Sequence, residues 1–160
     1  MADMNNPVAH SDVGCQLWCF DSTASKYKYL VPVRSVPATG ASPSTIEVTE
    51  MDSPIKQYIL DREDVGTLEF DYNYTADKYA AVKAKADGKT VQKFLITYSD
   101  KSGVKFDGMG KTWRDAVSTG GEIKGKLAIA ITSKEDVDDC SSIVDASSIP
   151  TGRTSPFSAD

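Results

Sequence analysis

Between residues 64 and 74 the chain alternates without a break. Leu68, Phe70, Tyr72 and Tyr74 fall on one side of an extended backbone, and Thr67, Glu69, Asp71 and Asn73 fall on the other. This period of two marks a half-buried strand. Such a strand needs a core under its apolar side and something else over its polar side. The polar side carries two carboxylates and no base from the strand itself, so it should face water, a cationic partner, or something the protein does not bind. It is the candidate functional face. Directly afterwards Thr75 or Asp77 can cap a helix over residues 76–87, in which Tyr79, Val82 and Ala86 recur at helical spacing. Gly88 is placed to end that helix in a left-handed conformation. Extended structure resumes at Val91.

The rest of the chain must supply that core. With 160 residues, 40% of them hydrophobic, one core of ordinary size is expected and a single domain is the default. No run approaches the roughly 20 apolar residues of a membrane span. Residues 1–12 lack the basic start and apolar stretch of a secretory signal, which leads to the expectation of a chain made and used from the cytosol. Cys15, Cys19 and Cys140 are an odd number, which argues against a disulfide framework. Cys15 and Cys19 would lie about 13 Å apart in a strand, too far to bridge, and are expected to pack as small hydrophobes. A zinc site from these cysteines and His10, the one histidine, is the alternative, but its spacing fits no finger or ribbon pattern.

Charge is distributed in blocks. Residues 1–46 balance, 47–77 hold nine acids against two bases, 78–134 hold five acids against twelve bases, and 135–160 hold six acids against one base. If these blocks separate in space, one surface of the subunit complements another and favours oriented self-assembly. If they do not, each is a solvated, salt-screened face.

Taken in order, residues 1–12 form a polar arm. Residues 14–20 read as a strand covered on both faces, 21–25 as a turn, and 27–36 as a strand whose Pro32 suits an edge or a bulge. Residues 37–64 are a long excursion with short strands at 46–49 and 55–60, read as an ordered arm or hairpin reaching outside the core, or else as a hairpin inside the sheet. Residues 91–98 form a buried strand, 99–103 a hairpin turn, 104–108 a returning strand, 109–121 a loop around Trp113, and 122–132 a closing strand. From residue 134 the pattern stops, and 134–160 read as an acidic, Ser-rich arm that is mobile or orders only on a neighbour. The expected fold is mainly β: a sandwich or partly open barrel over 13–133 with one flanking helix, a long extended loop and terminal arms.

Converging chemistry is not found. The single histidine leaves a serine or cysteine nucleophile without an obvious base. Gly108-Met109-Gly110 lacks the lysine and the strand-to-helix context of a phosphate loop. Glu69 and Asp71 have the spacing of a glycosidase-like pair but are read as solvated carboxylates. Lys83, Lys85, Lys89 and Lys93 are read as a solvated helix face or partner surface, not a nucleic-acid patch. No catalytic, cofactor-binding or metal-binding residue is assigned.

The order and spacing of several segments carry a resemblance. Ile46-Glu47-Val48-Thr49, Asp52-Ser53 and Tyr58-Ile59 come first, then 66–74, the helix, Phe94-Leu95-Ile96-Thr97-Tyr98, Phe106-Asp107-Gly108 and 125–132. Together, over about 27–133, they resemble the major tail (tail tube) protein of long, non-contractile bacteriophage tails. The resemblance implies a fold similar to tube proteins of contractile tails and type VI secretion systems. It implies a structural virion protein and no enzyme: hexameric rings stacked into a hollow tube, assembled in the host cytoplasm, through which DNA passes. The implied partners are other copies of the chain, a tape measure protein and tail terminator or tip proteins. The excursion 37–64, with Pro37, Gly40, Pro43, Asp52 and Pro54, would be the stacking loop, and the terminal arms would bridge neighbouring subunits. The 27 residues after Ser133 leave no room in this sequence for the C-terminal immunoglobulin-like domain of some relatives. A DNA conduit should not hold phosphate, so Thr67, Glu69, Asp71 and Asn73 are the candidate lumen wall. The alternative is a non-catalytic binding or adhesion sandwich, which would require Trp18 or Trp113 to line a cleft.

Overall fold

The alternation at 67–73 becomes a strand of seven residues whose apolar side chains are all buried and whose polar ones are not. The computed structural model describes residues 14–64 and 66–157, so the arm read at 1–12, including His10, lies outside the described residues. In chain order the strands are β1 (Gln16–Asp21), β2 (Lys26–Val31), β3 (Thr45–Glu47), β4 (Tyr58–Leu60), β5 (Thr67–Asn73), β6 (Gln92–Thr97), β7 (Gly103–Arg114) and β8 (Lys124–Val137). Helix α1 (Ala76–Lys85) falls between β5 and β6. Six strands form one antiparallel sheet in the order β2-β1-β6-β7-β8-β5, and β3 pairs with β4 alone.

The sheet is rolled. Just past β2, one edge of the sheet, Ser35 bridges to Asp71 on β5, the other edge, and the Arg34 N–H donates to the Asp71 carbonyl at 2.7 Å. The edges therefore meet at one point without a continuous ladder, and the sheet remains a partly open barrel. Its inner face holds the main core: Leu17, Val31, Leu68, Phe70, Tyr72, Phe94, Ile96, Phe106, Leu127 and Ile129, closed over by Val82 of α1 and its C-cap residue Ala86. Thr75 caps that helix, its hydroxyl accepting from the Lys78 N–H at 3.2 Å, and Gly88 beyond the end has φ +76°.

The segment read as a loop at 109–121 begins as strand, because β7 runs on to Arg114 and pairs with β8 along its whole length. Gly108 and Gly110 lower the strand propensity of the sequence, but both are needed here. A Cβ at Gly108 would overlap the Ala130 carbonyl, and one at Gly110 would press on the Ala86 Cβ at 3.2 Å, where α1 crosses the strand. The closing strand is also longer than its pattern: β8 continues through a bulge opposite Asp107/Gly108 to Val137.

The segment read as an arm at 134–160 differs from that expectation over its described part. Cys140 and Val144 are buried with Trp18, Tyr27 and Leu95, and Ile143, Ile149 and Phe157 pack around them. Trp18 explains why. Strand β1 presents Leu17 and Cys19 to the inner core and Trp18 to the outside, and an exposed indole on a sheet invites cover. Its Nε1 donates to Thr97 Oγ1 at 2.9 Å, and its ring meets Tyr29 and Phe157 edge-on at 5.8 and 6.0 Å. Cys19 and Cys140 thus lie on opposite faces of the sheet, so those two sulfurs do not converge on a metal. Burial pushes both thiols up to about 11.

Candidate assembly surfaces

The C-terminal segment covers only half of the outer sheet face. Over β2, β1, β6 and the β7 start and β8 end at Gly103 and Val137 lies the second core, whereas the outer side of β5 and of the stretches 109–113 of β7 and 124–130 of β8 is exposed or half-buried. All four predicted lumen residues are there: Thr67, Glu69 and Asn73 are exposed and Asp71 half-buried. The register sets what stands beside them. Asn73 is opposite Lys124, Asp71 opposite Lys126, Glu69 opposite Ala128 and Thr67 opposite Ala130. One strand further, Met109, Lys111 and Trp113 complete the face.

The face is therefore not acidic, as β5 alone suggests. Lys126 Nζ lies 3.1 Å from Asp71 Oδ1 and 4.0 Å from Asp115 Oδ2, and its pKa is raised chiefly by the hydrogen bond to Asp71. Lys124 lies 3.8 Å from Glu122, which is held low by the Arg34 guanidinium beside it. Period-two reading sees one strand at a time, so the lysines of a partner strand more than fifty residues away were invisible to it. Glu69 joins no ion pair among the described residues. Trp113 is partly exposed on this face and Trp18 fully buried, so Trp18 lines no cleft.

A second surface is the excursion 37–64, a hairpin outside the core. Thr45 to Glu47 pair with Leu60 to Tyr58, and every residue of both strands is exposed. Ile46, Val48, Met51, Ile55, Tyr58, Ile59 and Leu60 are all exposed, Ile55 at 72% and Leu60 at 69%. A two-stranded ribbon is marginal alone, and apolar groups on both faces and the tip make this a candidate interaction surface. Of the predicted stacking residues, Asp52 and Pro54 are in the tip, while Pro37, Gly40 and Pro43 are in the stem.

The stem is tied down. Glu63 Oε1 accepts from the Ala41 N–H at 2.8 Å and from Lys134 Nζ at 3.1 Å, and Lys134 also donates to the Thr39 carbonyl at 2.8 Å. The Ala41 N–H and then Lys134 lower the Glu63 pKa. Gly40 permits this clasp, since a Cβ there would stand 2.8 Å from the Glu63 carboxylate oxygen.

No family model and no curated protein matches the chain, but solved structures do. A chain from the tail of an empty gene transfer agent particle, refined with C6 symmetry, has a TM-score of 0.56 at 18% identity, covering 74% of this chain and 91% of that one. The backbone fold is thus shared with a chain of a tail particle. A chain of the six-fold symmetrised baseplate of the anti-feeding prophage matches with a TM-score of 0.53 at 5% identity, over 82% of this chain and 97% of that one. A chain from the virion of a native gene transfer agent gives 0.53 at 16%, over 79% and 95%. At these identities the side-chain surfaces are this chain's own, and the likeness is one of backbone architecture.

Proposed function

We propose that this chain is a structural tail-tube subunit of a virion. Copies join head to tail into hexameric rings, the rings stack through the 37–64 hairpin, and the tube conducts DNA. The observation that carries this reading is the half-covered sheet: the chain buries β2, β1 and β6 under its own C-terminal segment and leaves β5 with the 109–113 and 124–130 stretches of β7 and β8 uncovered. The backbone likeness to tail-particle chains supports it. So does the edge of β5, which the chain over its described residues engages only at Asp71 and which otherwise invites pairing with another chain. A head-to-tail contact of this kind closes into rings or runs on as filaments.

In this reading Thr67, Glu69, Asp71 and Asn73 line the channel together with Lys124 and Lys126. The pairs Asp71–Lys126 and Glu122–Lys124 then matter for transit. A lysine already held by a carboxylate is a poorer trap for phosphate than a free one. Pro37, Gly40, Pro43, Asp52 and Pro54 belong to the stacking contact, and a tape measure protein and terminator or tip proteins meet the tube's interior and ends.

Electron microscopy of the purified protein tests the reading directly. Rings or filaments about 100 Å across are expected for six small domains around a pore; single globules at every concentration would sink it. In a phage background, changing Glu69 and Asp71 to lysine should leave folded subunits and impair tube assembly or DNA delivery. A normal phage yield would remove both residues from the lumen.

A further inference from the structure

The hairpin root and the start of α1 lie at opposite ends of β5. At the first end the Ile131 N–H donates to the Gly66 carbonyl at 3.3 Å, and Lys134 clasps Glu63. At the other, Asn73 pairs with Lys124 and the Tyr74 N–H donates to the Ile123 carbonyl at 3.2 Å. The six steps between are about 20 Å of strand. A contact that repeats head to tail along β5 joins these two ends.

The ends are complementary. The hairpin stretch 45–61 carries Glu47, Glu50, Asp52 and Asp61 against Lys56 alone, along with its exposed apolar groups. The far end carries a cationic and aromatic cluster. The Arg114 guanidinium is stacked 5.1 Å from the Tyr74 ring centroid and 4.5 Å from that of Tyr79. Lys83 Nζ is 5.9 Å over Tyr79, and the two tyrosine rings are 5.6 Å apart. Among the described residues neither Arg114 nor Lys83 joins an ion pair. Beside them the loop between β7 and β8 exposes Val117 and Ile123, so this end also has uncovered apolar surface.

Resting on the tube reading, we propose that the hairpin tip of one copy docks on the Arg114–Tyr79–Lys83 cluster of the next copy. Glu50 and Asp52 meet the two cations, and Met51 and Ile55 cover Val117 and Ile123. Tyrosine-stacked arginine is preorganised for a carboxylate, and opposed charge sets the register of the stack more than its strength.

Charge reversal on each side tests it. Glu50→Lys with Asp52→Lys, and separately Arg114→Glu with Lys83→Glu, should each give subunits of unchanged melting temperature that form rings but no tubes. An equimolar mixture of the two variants should restore alternating rings, longer at low salt. If Arg114→Glu disturbs the Tyr74 and Tyr79 packing, Lys83→Glu alone, on an exposed helix face, should still shorten the tubes. Wild-type tubes together with normal tubes from either variant, or a mixture that stays as rings, would overturn this docking and leave the tube reading standing. A wild-type chain that never assembles would overturn both. Shortening confined to the hairpin variant would likewise overturn the docking and place the tip's docking site elsewhere on the neighbouring subunit.

Discussion

Gly125 shows how far a single position can carry the fold. It stands opposite Tyr72 on the β5–β8 ladder, and a Cβ built on it would overlap the Tyr72 ring. That ring cannot swing aside, because it is fully buried and its hydroxyl is 2.6 Å from Thr112 Oγ1, which in turn donates to the Lys126 carbonyl at 2.7 Å. Gly125→Ala should therefore destabilise by about 1–3 kcal/mol, the usual cost of overpacking a tight core. Chemical denaturation would read this as a lower midpoint at unchanged slope, and an unchanged midpoint would mean that the ring has room. The sequence shows Gly125 only as a gap in an apolar face. Its reason lies in a tyrosine more than fifty residues away. The same limit applies to Asp71, whose place on the polar side is legible from period two while its lysine partner is not.

At the scale of elements, the strands that alternate cleanly are legible, and those shaped by neighbours are not. Strand β5, the cap at Thr75 and the hairpin outside the core all follow from local pattern. The second half of β7 does not, because its glycines answer to α1 and β8 and not to local propensity. The hairpin stem adds a titratable element. Glu63 has a folded pKa below its ordinary value, so its clasp contributes fully above the ordinary glutamate pKa and is lost as pH falls through the depressed one. The expected outcome is that protection of the Ala41 amide against hydrogen exchange, taken relative to the intrinsic rate at each pH, falls on acidification, with a midpoint below the ordinary glutamate range. Glu63→Gln should show fast exchange at neutral pH as well. An Ala41 protection factor that ignores both pH and the substitution would mean the stem is held by something else.

For the whole molecule, the decisive question is where the C-terminal segment belongs. Composition after residue 134 is acidic and rich in serine, which reads as a tail, yet Cys140, Val144 and Phe157 are apolar anchors spaced too widely to show a period. What they anchor to is Trp18, and its outward direction follows from strand parity only once β1 is known to have a core beneath it. The segment also covers part of the β2 edge: the Tyr27 N–H donates to the Ile143 carbonyl at 2.9 Å, and the Asp145 N–H to the Tyr27 carbonyl at 2.8 Å. Among the described residues the chain thus engages its own β2 edge at Tyr27 and its β5 edge only at Asp71, which restrains uncontrolled pairing more on the β2 side than on the β5 side before assembly. Truncation after Val137 separates a structural segment from a bridging arm. If the segment is a second core, removing it bares Trp18, Tyr29 and Leu95 and frees the β2 edge. The expected result is a loss of several kcal/mol, on the scale of deleting a large buried side chain, with aggregation on heating. If it serves only to reach a neighbour, the truncated chain should melt where the full chain does and fail only in assembly. A melting temperature unmoved by the truncation would therefore refute the second core.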